Sequence, residues 1–291
     1  MSPFFGFAQF DFAGTLPLAD GRYLAQREDG DGDSVLVLQT LAAPPRPSRR
    51  RRKTRDAEAA PTPPEVPVAR ATAIRAFEPF EGPEEAAAWL ATATADEASI
   101  DAVVATGIAL VNDALHAQAV AVADPYLVAL TAERAVAVRL GYGSGEQTAE
   151  GTFGEAREVD VRAPAGSARR RRQEEARPQE RVAALLRGRE RADACETLLL
   201  RARADLDAGR RREAALQLRV GVEALLVELP DALDDADHGR DVEALEGRRR
   251  AVEAAAERAL RGDLAPDAER SVREALETAE RILRRRRLLT E

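Results

Sequence analysis

A chain of 291 residues is long enough for one large domain or two ordinary ones, and its formal net charge of −8 argues against a general polyanion binder. Cys195 is the only cysteine, which excludes an internal disulfide framework and a cysteine-rich metal centre. Aromatic residues make up only 4 %, so the core must be built from Ala, Val and Leu, and Lys53 is the only lysine among 43 basic residues, as a GC-rich coding genome produces.

Residues 1–42 read as β structure. Phe7–Phe12 alternates as F-A-Q-F-D-F, Arg22–Arg27 is a short mixed run, and Ser34–Leu41 is rich in β-branched and aliphatic residues. The DGDGD between the last two supplies a hairpin tip, since its glycines take positive φ at little steric cost. Residues 43–67 combine prolines with the RRRRK run and offer nothing to bury, so a disordered insertion is expected there. Ala71–Phe77 reads as a further strand that resumes pairing beside Ser34–Leu41, which makes 43–67 an excursion from one sheet.

From Gly82 the apolar period lengthens to helical spacing. Pro83, Glu84 and Glu85 form a good first turn, with acids near the positive helix end. Asp96 and Glu97 open a second helix that runs to about Ala123 and stops at Asp124-Pro125. Its most apolar part, Ala102–Val111, lies between Asp101 and Asn112 and falls short of the roughly 20 residues of a membrane span. Residues 131–140 suit either a short helix or a strand, GYGSG at Gly141–Gly145 reads as a loop, and Phe153–Val161 as a last strand.

The final third carries the clearest pattern. Leu185, Gly188, Ala192, Cys195, Leu199, Ala202 and Leu206 step by three and four, which predicts one unbroken helix. Three further stripes follow: Ala215 to Leu229, Val242 to Ala259, and Ala268 to Ile282. Short turns between amphipathic helices imply an antiparallel bundle. The expected fold is therefore α+β and mainly helical. A small N-terminal antiparallel sheet with helices occupies 1–161, a linker 162–177, and a C-terminal antiparallel helical bundle 178–291.

Signals for function are weak, and each has a structural explanation beside it. Arg49, Arg50, Arg51, Arg52 and Lys53 form a cationic tract suited to an anionic polymer or membrane surface, or to keeping a loop solvated. No aromatic lies between Leu41 and Phe77, so base stacking is not offered there. The runs Arg169–Arg172, Arg248–Arg250 and Arg284–Arg287 are expected to form solvated faces or intramolecular pairs. Gly141, Gly143 and Gly145 form a candidate ligand loop for an anionic group, without the spacing of a dinucleotide fingerprint or the Lys-Ser/Thr of a P-loop. Asp29, Asp31 and Asp33 alternate as at the start of a calcium loop, but Ser34 and Thr40 occupy the places of its glycine and bidentate glutamate. Asn112, Asp113 and His116 share a helix face, as a general-base pair or a satisfied polar patch. His238 is expected to be solvated, and Cys195, on a seam, to be an inert buried thiol.

Ala204–Leu226 resembles one helix–turn–helix unit of the tetratricopeptide kind, with Gly209, Ala214, Leu218 and Gly221 where that repeat places its turn and small packing residues. The unit does not recur, whereas a solenoid needs about three. Gly209 and Ala214 also resemble the G-x4-A pattern of four-helix nucleotide-binding and ribonuclease domains of the HEPN type. Members with nuclease activity carry an Arg shortly before a His, and neither His116 nor His238 has one, so the resemblance does not imply nuclease chemistry. The reading that remains is a cytoplasmic, non-catalytic interaction or scaffold protein with a protein partner, no cofactor and no metal. The alternatives are a small-ligand or phosphate-binding enzyme using the glycine segment, and a nucleic-acid binder using the Arg tract.

Overall fold

The computed structural model describes residues 2–26, 33–41, 67–161, 179, 181–228, 235–262 and 264–290. It divides into two compact units, Met1–Pro164 and Ala165–Glu291. The fold is α+β and mainly helical, as the periodicities predict.

In the first unit, strands β1 (Phe4–Ala13), β2 (Gly21–Gln26), β3 (Asp33–Leu41), β4 (Val68–Ile74), β5 (Ala135–Ser144) and β6 (Glu155–Val159) form one sheet in the order β2-β3-β4-β1-β5-β6. Every neighbouring pair is antiparallel. The pairing of Gln26 with Asp33 and of Leu41 with Val68 shows two chain reversals. Most of the predicted hairpin tip, and residues 43–66 of the predicted insertion, lie outside the described residues. A register shift between Asp11 and Phe12 bends β1 against β5.

Alternation along β1 separates two environments. Ala8, Phe10 and Phe12 enter the main core with Leu36, Leu38, Ala71, Val138 and Leu140, covered by helices α1 (Pro83–Ala93) and α2 (Glu97–Val122). Phe7 points the other way, with Val37 and Ile74. Pro83 opens α1, and the Asp96 carboxylate accepts from Ser99 N at 2.8 Å to cap α2. Gly107 of α2 sits where a Cβ would lie 2.7 Å from Ala8 Cβ, so the missing side chain lets the helix approach β1.

The ambiguity at 131–140 resolves as strand β5, preceded by one 3₁₀ turn at Ala132–Arg134. The expectation of a loop at Gly141–Gly145 is corrected. Gly141 and Gly143 lie within β5, and Gly145 is the first residue of the short helix α3 (Gly145–Ala149). Ser144 and Gln147 close a reciprocal capping box there, so strand passes directly to helix.

In the second unit, helices α4 (Ala194–Asp207), α5 (Arg211–Glu228), α6 (Ala236–Ala259) and α7 (Pro266–Thr290) contribute one core. Leu199, Leu218, Leu225, Leu245, Leu276 and Ile282 are among its fully buried side chains. Gly209, at φ +74°, makes the α4–α5 turn, and a Cβ on Gly221 would lie 3.1 Å from Leu199. The predicted unbroken helix from Leu185 is a second correction. Helix at 181–186 ends at Gly188, whose φ of +68° is left-handed, and α4 begins afresh after Asp193, which closes a capping box with Glu196. Local cap chemistry overrides the apolar stripe because Gly188 and Ala192 are exposed and have nothing to bury.

The bundle surface is laced with arginine–carboxylate pairs between helices. Arg203 makes two parallel hydrogen bonds to Glu280, 2.8 and 2.9 Å, and Arg281 reaches Asp241 at 2.9 Å. The predicted intramolecular pairing of two Arg runs holds here. Arg249 joins Glu223, Arg285 joins Asp235 and Asp237, and Arg286 joins Asp193. Arg169–Arg172 lies outside the described residues.

Candidate functional site

The sheet face opposite α1 and α2 holds a polar centre that sequence reasoning missed. Gln9 and Asp11 of β1 pair in register with Thr72 and Arg70 of β4 and lie beside Arg139 of β5. Gln9 and Thr72 are fully buried, and Asp11 nearly so. Arg70 donates to both Asp11 oxygens at 2.8 and 2.9 Å, and Arg139 adds a third bond at 2.7 Å. Burial opposes the charge on Asp11, but the hydrogen bonds from Arg70 and then Arg139 outweigh it and hold the carboxyl below its ordinary 3.8. The only sequence signal was the alternation of F-A-Q-F-D-F, which sets Gln9 and Asp11 on one side; their partners stand 59 to 142 residues away.

This centre is enclosed by the chain around α3. Gln9 Nε2 donates to Thr72 Oγ1 at 3.0 Å and to Gly151 O at 3.1 Å, Gln39 Nε2 donates to Glu150 O at 2.6 Å, and the Phe153 ring lies 6.2 Å from that of Phe7. The arrangement fixes strands and strap rather than presenting a free acid or base. Asp11→Asn is expected to cost about 2 kcal/mol, discounted from a fully buried pair because the guanidiniums are partly exposed. The sign of the pH dependence follows from the lowered carboxyl. Its contribution is complete above the ordinary value and is lost as pH falls through the lower folded value, so urea titrations from pH 6 down should show a steeper acid limb for the parent than for Asp11→Asn.

Close packing accounts for Gly141 and, less tightly, for Gly143, while a Cβ on Gly145 would make only an ordinary contact with the Phe5 ring at 3.4 Å. A Cβ on Gly141 would meet Glu155 O at 2.5 Å and the Phe7 ring at 2.7 Å, and one on Gly143 would meet Thr148 Cγ2 at 3.2 Å. The amide of Gly145 donates to Pro3 O at 3.0 Å. The two cavities nearest these elements do not join this segment to Asp113 and His116. One of about 30 Å³ lies between β1, β4 and α2, another of about 340 Å³ against β5 and β6 near Ala137 and Glu158.

The other candidates separate. Arg49, Arg50, Arg51, Arg52 and Lys53 lie outside the described residues. Asn112 turns to the backbone of Leu130, donating to its carbonyl at 2.9 Å and accepting from its amide at 2.7 Å, while Asp113 and His116 are exposed. His238, expected in solvent, is 5 % exposed, because Asp235 caps α6 at His238 N and carries the imidazole into the bundle as the helix starts. Cys195 is fully buried, and burial followed by hydrogen bonding to Glu228 pushes its thiol up to about 12, far from a reactive thiolate. Ligand atoms of Asp193, Cys195 and Glu228 lie within 4.8 Å of one another. Both Glu228 oxygens already accept the amides of Ala194 and Cys195, at 3.2 and 3.0 Å, and Asp193 pairs with Arg286, so the group works as a helix cap.

The feature with surface left to offer is α2. It spans 26 residues and, by length and composition, is the one described helix apolar enough for a bilayer, at mean hydropathy 1.4; the apolar run thus extends well beyond Val111. Only Val103, Val104, Gly107, Val111 and Leu115 are buried, all on the sheet side. Ala98, Ala102, Ala105, Ala109 and Val120 are exposed, and the apolar surface continues through Val122, Tyr126 and Val128, which are 55 to 85 % exposed. Between Arg75 and Arg134 the chain has no Lys or Arg but ten carboxylates. An open depression of about 820 Å³ at the start of α1, lined by Glu81, Glu84 and Glu85, belongs to the same acidic layer.

Comparison with known proteins finds no matching family model, no matching curated protein and no matching solved structure.

Proposed function

We propose that this chain is a non-catalytic interaction protein that presents the exposed side of α2 to a protein partner, with the Arg49–Lys53 tract as an accessory attachment to an anionic surface. The observation that carries the reading is the uncovered apolar side of α2, continued through Tyr126 and Val128. A helix normally buries such a stripe, and a large exposed apolar patch rimmed by polar groups marks a contact surface. The titratable groups support it: Asp11 is spent on two guanidiniums, and Cys195 on a cap.

The test is a photo-crosslinking residue at Ala105 or Ala109, introduced into the full chain in its cell of origin. The expected result is a discrete cross-linked band from both positions and none from exposed Arg201 on α4. No band from either α2 position would remove the reading. The Arg tract has its own arm, in which Arg49–Arg52→Ala should weaken binding to anionic vesicles or RNA in low salt. Unchanged affinity would remove the electrostatic attachment alone.

A further inference from the structure

The partner's chemistry follows from charge and shape, and this inference rests on the interaction reading above. In a chain with 43 basic residues, the segment folded as the α1–α2 layer has none between Arg75 and Arg134. Its outward side carries Ala98, Ala102, Ala105 and Ala109 at spacings of four, three and four, with exposed Asp101 beside them. Small side chains let another backbone come close, and the carboxylates around them set the sign of what can approach.

We infer that the exposed side of α2 docks a cationic polypeptide segment with an apolar face, an amphipathic helix bearing Arg or Lys. A helix of that kind would bury the alanine stripe along its own apolar seam and set its basic residues against Asp101 and Glu97 at the rim. The cations that reach the layer, Arg75 over the Trp89 ring and Arg157 at Thr94, contact α1, so an anionic membrane or a nucleic acid meets like charge at Glu97 and Asp101 and is disfavoured on the exposed face of α2. Charge at the rim acts mainly on association rate and choice of partner, while burial of the alanine stripe holds the complex together.

The experiment titrates the full chain into a dye-labelled helical peptide of about 20 residues made of Leu, Ala and Arg at amphipathic spacing. Companion peptides replace every Arg with Gln or with Glu, and binding is read by fluorescence anisotropy. The Arg peptide should bind, the Gln peptide at least about tenfold more weakly, and the Glu peptide not at all. Raising salt from about 50 to 300 mM should weaken the Arg peptide about tenfold. Ala105→Arg/Ala109→Arg, at two exposed positions suited to a good helix former, should weaken it by at least about tenfold with the circular dichroism spectrum unchanged. Equal binding of the Arg and Gln peptides overturns the inference. So does indifference to the double substitution, which would show the peptide gathering on carboxylates elsewhere. Cross-linking at Ala105 without any Arg-peptide binding defeats this inference and leaves the interaction reading standing; the lack of a cross-link at both α2 positions removes the two together.

Discussion

Gly141→Val is expected to destabilise the N-terminal unit by about 3 kcal/mol, the upper range for forcing atoms into a packed interior. Gly141 lies in β5, in register with Phe7 of β1 on one side and Ala156 of β6 on the other. The first added carbon would lie 2.5 Å from a backbone oxygen, Glu155 O, 2.7 Å from Phe7 Cζ and 2.8 Å from Ala156 Cβ. A flexible side chain can swing away, but a strand carbonyl cannot move without breaking ladder geometry. The strain must therefore spread through β5 and β6. At Gly143 the nearest atoms are the side-chain ends of Thr148 and Gln147, at 3.2 and 3.3 Å, and at Gly145 the Phe5 ring edge at 3.4 Å. Alanine at those two positions should cost less than about 1 kcal/mol. Trp89 is the only tryptophan and packs against Phe80 in this unit, so its fluorescence during urea unfolding reads the series directly. A ligand-loop role for the glycines predicts a different ordering, with stability nearly flat and binding lost at Gly143.

Leu218→Ala carries the second large effect, an expected loss of about 2–5 kcal/mol from the C-terminal unit. Leu218 is fully buried, in a core shared with Leu199, Leu225, Leu245, Leu276 and Ile282. Truncation removes the transfer energy of its side chain and leaves a cavity that helices held by Arg203–Glu280 and Arg281–Asp241 pairs close only in part. The control is Leu200→Ala on α4. Leu200 is 70 % exposed, and its change should stay within about 0.5 kcal/mol. Thermal melts followed by circular dichroism at the helix minimum measure both. Equal midpoints for the two variants would mean that the Leu218 stripe is not the seam of a bundle.

The Gly141 prediction turns on distances that no pattern in the chain reveals, whereas the Leu218 prediction rests on a stripe that the spacing already shows. The sequence by itself determined the kinds of element and most of their ends. Alternation in F-A-Q-F-D-F, the Asp96 cap with Asp124-Pro125 beyond it, and the three- and four-residue steps after Leu199 are local signals, and strands, α2 and the bundle follow them because backbone geometry and capping are local. The return of β4 to β3 was legible too, since Leu41 and Val68 flank a stretch with nothing to bury. Tertiary structure alone decided which strands flank β1, and with that the meeting of Asp11 with Arg70 and Arg139 and the crowding at Gly141. It turned His238 inward, left Gly188 to interrupt a stripe that had looked continuous, and covered one side of α2 while leaving the other bare. Burial and pairing are properties of neighbours far apart along the chain, and periodicity states that a face is apolar without stating what covers it.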